Sequence, residues 1–187
     1  MARYGMVLDY KNCINCKACE VACKEENGVL LGADNHRIWV GEKEIEGEWP
    51  NLSLASAIFY PSQCQQCDHA PCKEVCPTNA TYYDENRVVR VNPEKCILCT
   101  YCINACPYDA RYVDERTVTV DKCTFCSDTR LMRGETTTAC QNTCPTKVRV
   151  FGDLDDPKSE ISEILRNREH FSLKSHLGTK PKLFYVV

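Results

Sequence analysis

No stretch of this chain is apolar over the length that a bilayer span requires. Nothing near its start reads as a secretory signal, since Met1-Ala2-Arg3-Tyr4-Gly5-Met6-Val7-Leu8 is short and mixed and runs straight into a cysteine motif. Basic excess is missing too: 23 lysines and arginines stand against 26 aspartates and glutamates, a formal net charge of −3. With no basic stripe, that balance argues against a nucleic-acid partner. No nucleophile, acid–base pair or glycine-rich phosphate loop is present, which excludes catalysis by this chain alone. Low-complexity linkers are lacking as well, so the 187 residues suit one compact domain or two small ones.

What the chain has in abundance is cysteine, sixteen residues in four groups of four. The organising group is Cys96, Cys99, Cys102 and Cys106-Pro107, spaced C-x2-C-x2-C-x3-C-P, the pattern of a bacterial-type ferredoxin segment. Three cysteines two residues apart on a tight loop can wrap three corners of one Fe–S cube. The fourth lies too far round the following helical turn and ligates a different cluster. Pro107 then redirects the chain, having no N–H to continue a helix.

Cys13, Cys16, Cys19 and Cys23 repeat that spacing, with Lys24 where the other groups have proline. Cys64, Cys67, Cys72 and Cys76-Pro77 widen one interval through the bulge Asp68-His69-Ala70-Pro71. Cys123, Cys126, Cys140 and Cys144-Pro145 delay the third cysteine by the run Ser127–Ala139. Disulfide scaffolds do not repeat C-x2-C-x2-C ahead of Cys-Pro. The pair-plus-pair spacing of the last group, taken alone, also fits a zinc site; beside three ferredoxin segments the iron–sulfur reading takes precedence. His69 reads as a loop histidine, because four cysteines already suffice.

Four groups match four [4Fe–4S] clusters with no cysteine left over. If each group gives three ligands to its own cluster and lends one to its mate, adjacent groups two and three pair, and groups one and four pair across the chain. The expected sets are Cys13, Cys16, Cys19 and Cys144; Cys23, Cys123, Cys126 and Cys140; Cys64, Cys67, Cys72 and Cys106; and Cys76, Cys96, Cys99 and Cys102.

The fold class expected is α+β: two ferredoxin-like modules, tandem bacterial-type 2[4Fe–4S] folds, with short hairpins, loops and helices. One module takes 1–58 plus 113–150, the inner one 59–112, and 151–187 form a C-terminal helix and docking tail. Within this frame Tyr4–Asp9 and Leu54–Tyr60 read as strands and Ala18–Glu26 as a helix. Asn27–Leu52, holding Trp39, Trp49 and the charged Glu42–Glu48 run, reads as an inserted hairpin or loop. Ala80–Asp84 with Arg87–Val91, and Ala110–Val113 with Thr117–Val120, read as two hairpins, a repeated strand–cluster–helix–hairpin unit. A short helix is expected over Asp128–Arg133, stopped by Gly134, and a strand over Lys147–Phe151. Asp156 is expected to cap, and Pro157 to open, a helix with Ile161, Ile164 and Leu165 on one face. Leu183–Val187 should dock as a strand or against a partner. Lys95 and Lys122, each just before a cluster cysteine, either raise local potentials or are ordinary surface lysines. Ile14, Ile97, Ile103 and Phe125 should keep water from the cubes. Tyr101, Tyr108 and Tyr112 are explained as well by packing as by any electron-relay role.

These motifs together resemble the iron–sulfur subunit of the dimethyl sulfoxide reductase family of molybdoenzymes. The residues that carry the likeness are Cys13–Cys23 with Lys24-Glu25-Glu26-Asn27, Cys64–Pro77, Cys96 to Asp109-Ala110-Arg111-Tyr112, Lys122-Cys123-Thr124-Phe125-Cys126, Cys144-Pro145 and Phe151-Gly152-Asp153-Leu154-Asp155-Asp156-Pro157. With no long insertion before Cys123, the chain is most similar to polysulfide or thiosulfate reductase electron-transfer subunits. The resemblance implies a non-catalytic relay between an integral-membrane quinone-reactive subunit and a molybdenum or tungsten bis-pterin catalytic subunit, with the Cys13 cluster nearest the catalytic cofactor. It also implies a place on the periplasmic face of the cytoplasmic membrane, reached with a co-exported partner, or otherwise in the cytoplasm. Competing readings are a soluble polyferredoxin, the equivalent subunit of a formate dehydrogenase, arsenate or tetrathionate reductase complex, and a zinc-binding module.

Overall fold

The computed structural model describes residues 2–32, 34–45 and 56–187. In chain order the first half runs β1 (Tyr4–Leu8), α1 (Ala18–Asn27), β2 (Ile38–Ile45), β3 (Ser56–Gln63), α2 (Pro71–Glu74), β4 (Thr81–Tyr83) and β5 (Val89–Val91). The second runs α3 (Tyr101–Asn104), β6 (Tyr112–Asp114), β7 (Thr119–Asp121), α4 (Ala139–Asn142), β8 (Arg149–Asp153), α5 (Glu160–Asn167), β9 (His170–Phe171) and β10 (Leu183–Val186). It is a small mixed α/β chain, and among the described residues no helix is long and apolar enough to cross a membrane.

The main sheet joins the two ends of the chain, with strand order β8-β1-β10-β9. β1 pairs antiparallel with β8 and parallel with β10. Its Met6, Val7 and Leu8 are all buried, because neighbours flank it on both edges and side chains cover both faces. Leu183, Tyr185 and Val186 of β10 are equally buried, so the apolar tail docks as a strand of its own sheet. Gly5 lies opposite Gly152 in the β1–β8 register. A side chain on Gly5 would meet Leu154 Cδ1 at 2.7 Å and the Lys182 carbonyl oxygen at 2.9 Å, and one on Gly152 would meet Ile161 Cγ2 at 2.8 Å. Gly5→Val is therefore expected to destabilise the holoprotein by about 1–3 kcal/mol, read as a lowered urea midpoint.

Smaller antiparallel pairs carry the rest. β4–β5 and β6–β7 are the two expected hairpins, the first shortened within its expected bounds and the second starting two residues later on each strand. The expected insertion is itself a hairpin, β2 with β3 from Ile38↔Gln63 to Ile45↔Ser56. The Leu54–Tyr60 run thus supplies its second arm rather than a separate strand. Trp49, Leu52, Leu54 and the Glu46–Glu48 end of the charged run lie outside the described residues.

Three element assignments are corrected. Asp128–Arg133 forms turns and a single 3-10 turn over Leu131–Arg133, not an α-helix. The strand after Cys144 starts at Arg149, because Lys147 is left-handed with φ 53°. The following helix is capped by Ser159, whose hydroxyl accepts from the Ser162 N–H at 3.3 Å. Asp156 instead accepts from the Lys158 N–H in a turn at 2.9 Å, leaving Pro157 outside the helix.

Candidate iron–sulfur centres

Each C-x2-C loop bends back on itself through residues that ordinarily avoid the conformation they adopt. Asn15, Gln66, Leu98 and Phe125, each two residues after the first cysteine of a pair, have φ of 55°, 49°, 54° and 54°. Left-handed backbone is uncommon for any residue but glycine and costly for Leu and Phe. Four occurrences at one motif position therefore mark a geometry imposed by the loop. Left-handed residues in such loops can turn backbone N–H groups toward a bound anionic group, as in the nests of many Fe–S sites. The turn after each Cys-Pro is repeated in the same way, with Asn79, Asp109 and Lys147 at φ 52°, 53° and 53°.

The cysteines then gather into sets. Cys76, Cys96, Cys99 and Cys102 line one cavity of about 320 Å³. A second, of about 270 Å³, is lined by Cys23, Cys123, Cys126 and Cys140. Cys64, Cys67, Cys72 and Cys106 line a third, of about 310 Å³. Each set takes three thiols from one group and one from its mate. Of the remaining four, Cys13 and Cys16 lie in the segment between β1 and α1, Cys19 in the first turn of α1, and Cys144 between α4 and β8. β1 leaves toward Cys13 while β8 arrives from Cys144, and the Asp9 N–H bonds the Val148 carbonyl at 2.8 Å. Among the described residues no three or more Cys, His, Asp or Glu side chains converge as a single-ion site. The thiols stand around space, not around a point.

Donors are already aimed at these sulfurs. The Thr81 N–H reaches Cys76 Sγ at 3.5 Å, the Phe125 N–H Cys123 Sγ at 3.4 Å and the Val148 N–H Cys144 Sγ at 3.3 Å. Asn27 Nδ2 lies 3.6 Å from Cys23 Sγ and 3.9 Å from Cys126 Sγ. Gln63, wholly buried, points Nε2 at Cys123 Sγ, 3.7 Å away. Burial pushes the Cys67 thiol up to about 12, helped by neighbouring Cys64. Cys123 is likewise pushed up to about 12, by burial and then by Cys140. At Cys76 burial also works upward, but the Thr81 N–H and the Thr78 and Ala80 groups outweigh it and hold the thiol below its usual range. Buried thiols that resist ionisation, ringed by donors, suit a bound cation-rich group that makes them thiolates. The donor set fits Fe–S cubes.

Other expectations divide. Lys122 is buried and Lys95 exposed. Phe125 is buried against the second cavity; Ile97 lines the Cys76 cavity although its outer face is exposed, while Ile14 is exposed. His69 is exposed, its N–H bonded to the Thr179 carbonyl. Tyr108 is held by packing, its hydroxyl 2.6 Å from Thr179 Oγ1, whereas Tyr101 is exposed. Lys24, standing where other groups have proline, donates Nζ to the Leu30 carbonyl at 2.9 Å. Sequence reading missed the buried Gln63, Gln65 and Gln66 around Cys64, and the buried Arg111 and Arg149. The signal for the arginines was there: each stands five residues after the last cysteine of its group.

Ferredoxin-type loops, backbone donors on sulfur and thiols gathered around shared cavities define an iron–sulfur electron carrier. Comparison with known proteins agrees: residues 55–154 match the 4Fe-4S dicluster domain. The chain is 46% identical over 185 residues to a polysulfide reductase chain of Wolinella succinogenes, covering 98% of this chain and 94% of that one. It is 48% identical to the protein NrfC of Escherichia coli K12, over 98% of this chain and 80% of that one. A tetrathionate reductase subunit of Salmonella typhimurium is 39% identical, over 98% and 72%. The chain belongs to the iron–sulfur subunits of molybdoenzyme-type reductase complexes. It is an electron-transfer, non-catalytic subunit of such a complex.

Proposed function

We propose that this chain holds four [4Fe–4S] clusters in two ferredoxin-like modules and relays electrons from a membrane quinol-reactive subunit to a molybdenum or tungsten bis-pterin subunit that reduces polysulfide or thiosulfate. The observation that carries the reading is the gathering of cysteines into four-thiol sets that cross between groups one and four and between groups two and three. Each of the three cavities is lined by four thiols, and among the described residues no three Cys, His, Asp or Glu side chains converge as a single-ion site, which favours a cluster over zinc. Each cluster supplies one-electron storage; the chain supplies spacing, donors to sulfur and exclusion of water. The modules we assign are 1–58 plus 113–150 and 59–112, with 151–187 closing the main sheet.

The electrostatic proximity of the thiols supports a linear order. Cys19 faces Cys140, and Cys123 faces Cys64, so the Cys13 set adjoins the Cys23 set, which adjoins the Cys64 set. The Cys76 set completes the line as the mate of the Cys64 set. Exposed apolar side chains stand by both terminal sets, Ile14 and Val21 at one end and Ile97 and Tyr101 at the other. Those are natural docking points for an electron acceptor and an electron donor. We place the complex at the periplasmic face of the membrane, testable by protease access in spheroplasts.

The test of the relay is anaerobic. In membranes containing the intact complex, a quinol analogue should reduce the cluster absorption of this subunit, and polysulfide or thiosulfate should reoxidise it. Reduction by quinol without reoxidation by either sulfur compound rejects the proposed substrates. Failure of quinol to reduce any cluster, while dithionite reduces all, rejects the membrane relay in favour of a free polyferredoxin.

A further inference from the structure

Three cationic side chains are almost wholly buried among the thiols: Arg149 at 2% exposure, Lys122 at 1% and Arg111 at 5%. Each stands between two cysteine sets. Arg111 lines the Cys64 cavity and donates Nη2 to Cys72 Sγ at 2.9 Å. Its Nη1 reaches Thr81 Oγ1 at 3.3 Å, and Thr81 lines the neighbouring Cys76 cavity and donates its N–H to Cys76 Sγ. Arg111 also faces Cys102 of that second set. Lys122 faces Cys64 and Cys72 on one side and Cys123 on the other, its Nζ bonded to the Cys123 carbonyl at 2.7 Å. Arg149 faces Cys19 on one side and Cys140 and Cys123 on the other, with Nη1 bonded to Gln63 Oε1. Its Nη2 is buried and has no hydrogen-bond partner among the described residues. The guanidinium faces the Cys19 sulfur as an acceptor.

The internal repeat shows why each paired module has one arginine. Arg111 and Arg149 stand five residues after Cys106 and Cys144; the equivalent positions after Cys76 and Cys23 are Thr81 and Gly28. Within the inner pair the small residue accepts a bond from the arginine of its mate, so the shared junction holds a single cation. Lys122 then occupies the remaining junction, where the two pairs meet.

Resting on the four-cluster reading above, we propose that Arg149, Lys122 and Arg111 are positioning residues that place one fixed positive charge at each of the three junctions of the cluster line. A cube on four thiolates carries about −2 oxidised and about −3 reduced, so neighbouring reduced cubes repel in a poorly screened interior. A cation between them lowers that repulsion and raises the potential of both neighbours, letting an electron enter beside one already present.

The test is an EPR-monitored redox titration of the intact complex, with iron determined on every sample. Arg111→Gln should lower the potentials of the Cys64 and Cys76 clusters alone. Lys122→Met should lower those of the Cys23 and Cys64 clusters, and Arg149→Gln those of the Cys13 and Cys23 clusters. Each affected pair should show at least a tenfold lower ratio of reduced to oxidised cluster at fixed potential, about 59 mV for one electron. Unmoved potentials, or equal movement of all four clusters, in variants with full iron overturn the proposal. Where a neutral variant loses iron, the charge-keeping Arg111→Lys, Lys122→Arg or Arg149→Lys decides. Recovery of iron supports a charge role and continued loss overturns it. Iron well below four clusters in the unaltered complex would instead reject the parent reading.

Discussion

Cys140→Ser is expected to lower iron from about sixteen to about twelve per chain and to abolish quinol-driven substrate reduction. Cys140 is buried, lines the Cys23 cavity and has Thr138 Oγ1 3.3 Å from its sulfur. A serine hydroxyl is a hard, protonated oxygen that replaces a soft thiolate poorly. The affected cavity is interior to the line, between the Cys13 and Cys64 sets, so the break separates the two ends. Cys16 is exposed in the terminal loop, and Cys16→Ser should differ in kind: the other three clusters stay reducible from the quinol side while delivery to the catalytic subunit stops. Iron analysis together with EPR under quinol reduction distinguishes the two. Full activity in the Cys140 variant would remove that cavity from the path.

Arg37→Ala is expected to cost about 3–5 kcal/mol, the penalty for leaving a largely buried carboxylate without its cation. Arg37 grips Asp121 with two parallel bonds, Nε to Oδ2 at 2.8 Å and Nη2 to Oδ1 at 2.9 Å. Burial opposes its charge, but Asp121 more than offsets that and holds the guanidinium above its ordinary range. The same side chain donates Nη1 to Asn27 Oδ1 at 2.9 Å, and Asn27 touches Cys23 and Cys126. The pair thus clamps α1, β7 and the second cavity together. Urea denaturation of the holoprotein should show the loss, and Arg37→Lys should recover only part of it, because an ammonium cannot make the forked bond. A change under about 1 kcal/mol would mean the pair is screened like a surface ion pair.

The cysteine loops were legible because ligand spacing is a local property: a C-x2-C-x2-C loop closes on itself and offsets its fourth cysteine away from it. The hairpins after Cys76 and Cys106 were legible for the same reason, as alternating runs around short turns. What escaped depends on distance along the chain. Nothing local to Tyr4–Leu8 or Leu183–Val186 says that they pair in parallel, since parallel strands are joined through intervening structure and leave no turn signal. The run Asp128–Arg133 has helix-forming residues, but Arg130 is drawn to Glu26 of α1 and to the Thr137 carbonyl. With Gly134 left-handed at its end, only a short 3-10 turn remains. Ile14 lies between ligands in sequence, but tight loops turn such positions outward as readily as inward. Arg111 and Arg149 are the hardest case. An arginine beside a strand reads as surface, and only the fixed offset from Cys106 and Cys144 betrayed that both face buried sulfur.

The most direct measurement is metal and sulfide content of the complex isolated anaerobically from its native host through this subunit. The account predicts about sixteen irons and about sixteen acid-labile sulfides per chain, with roughly one molybdenum or tungsten in the partner. About eight irons, or stoichiometric zinc in place of iron at the Cys123 group, would contradict it.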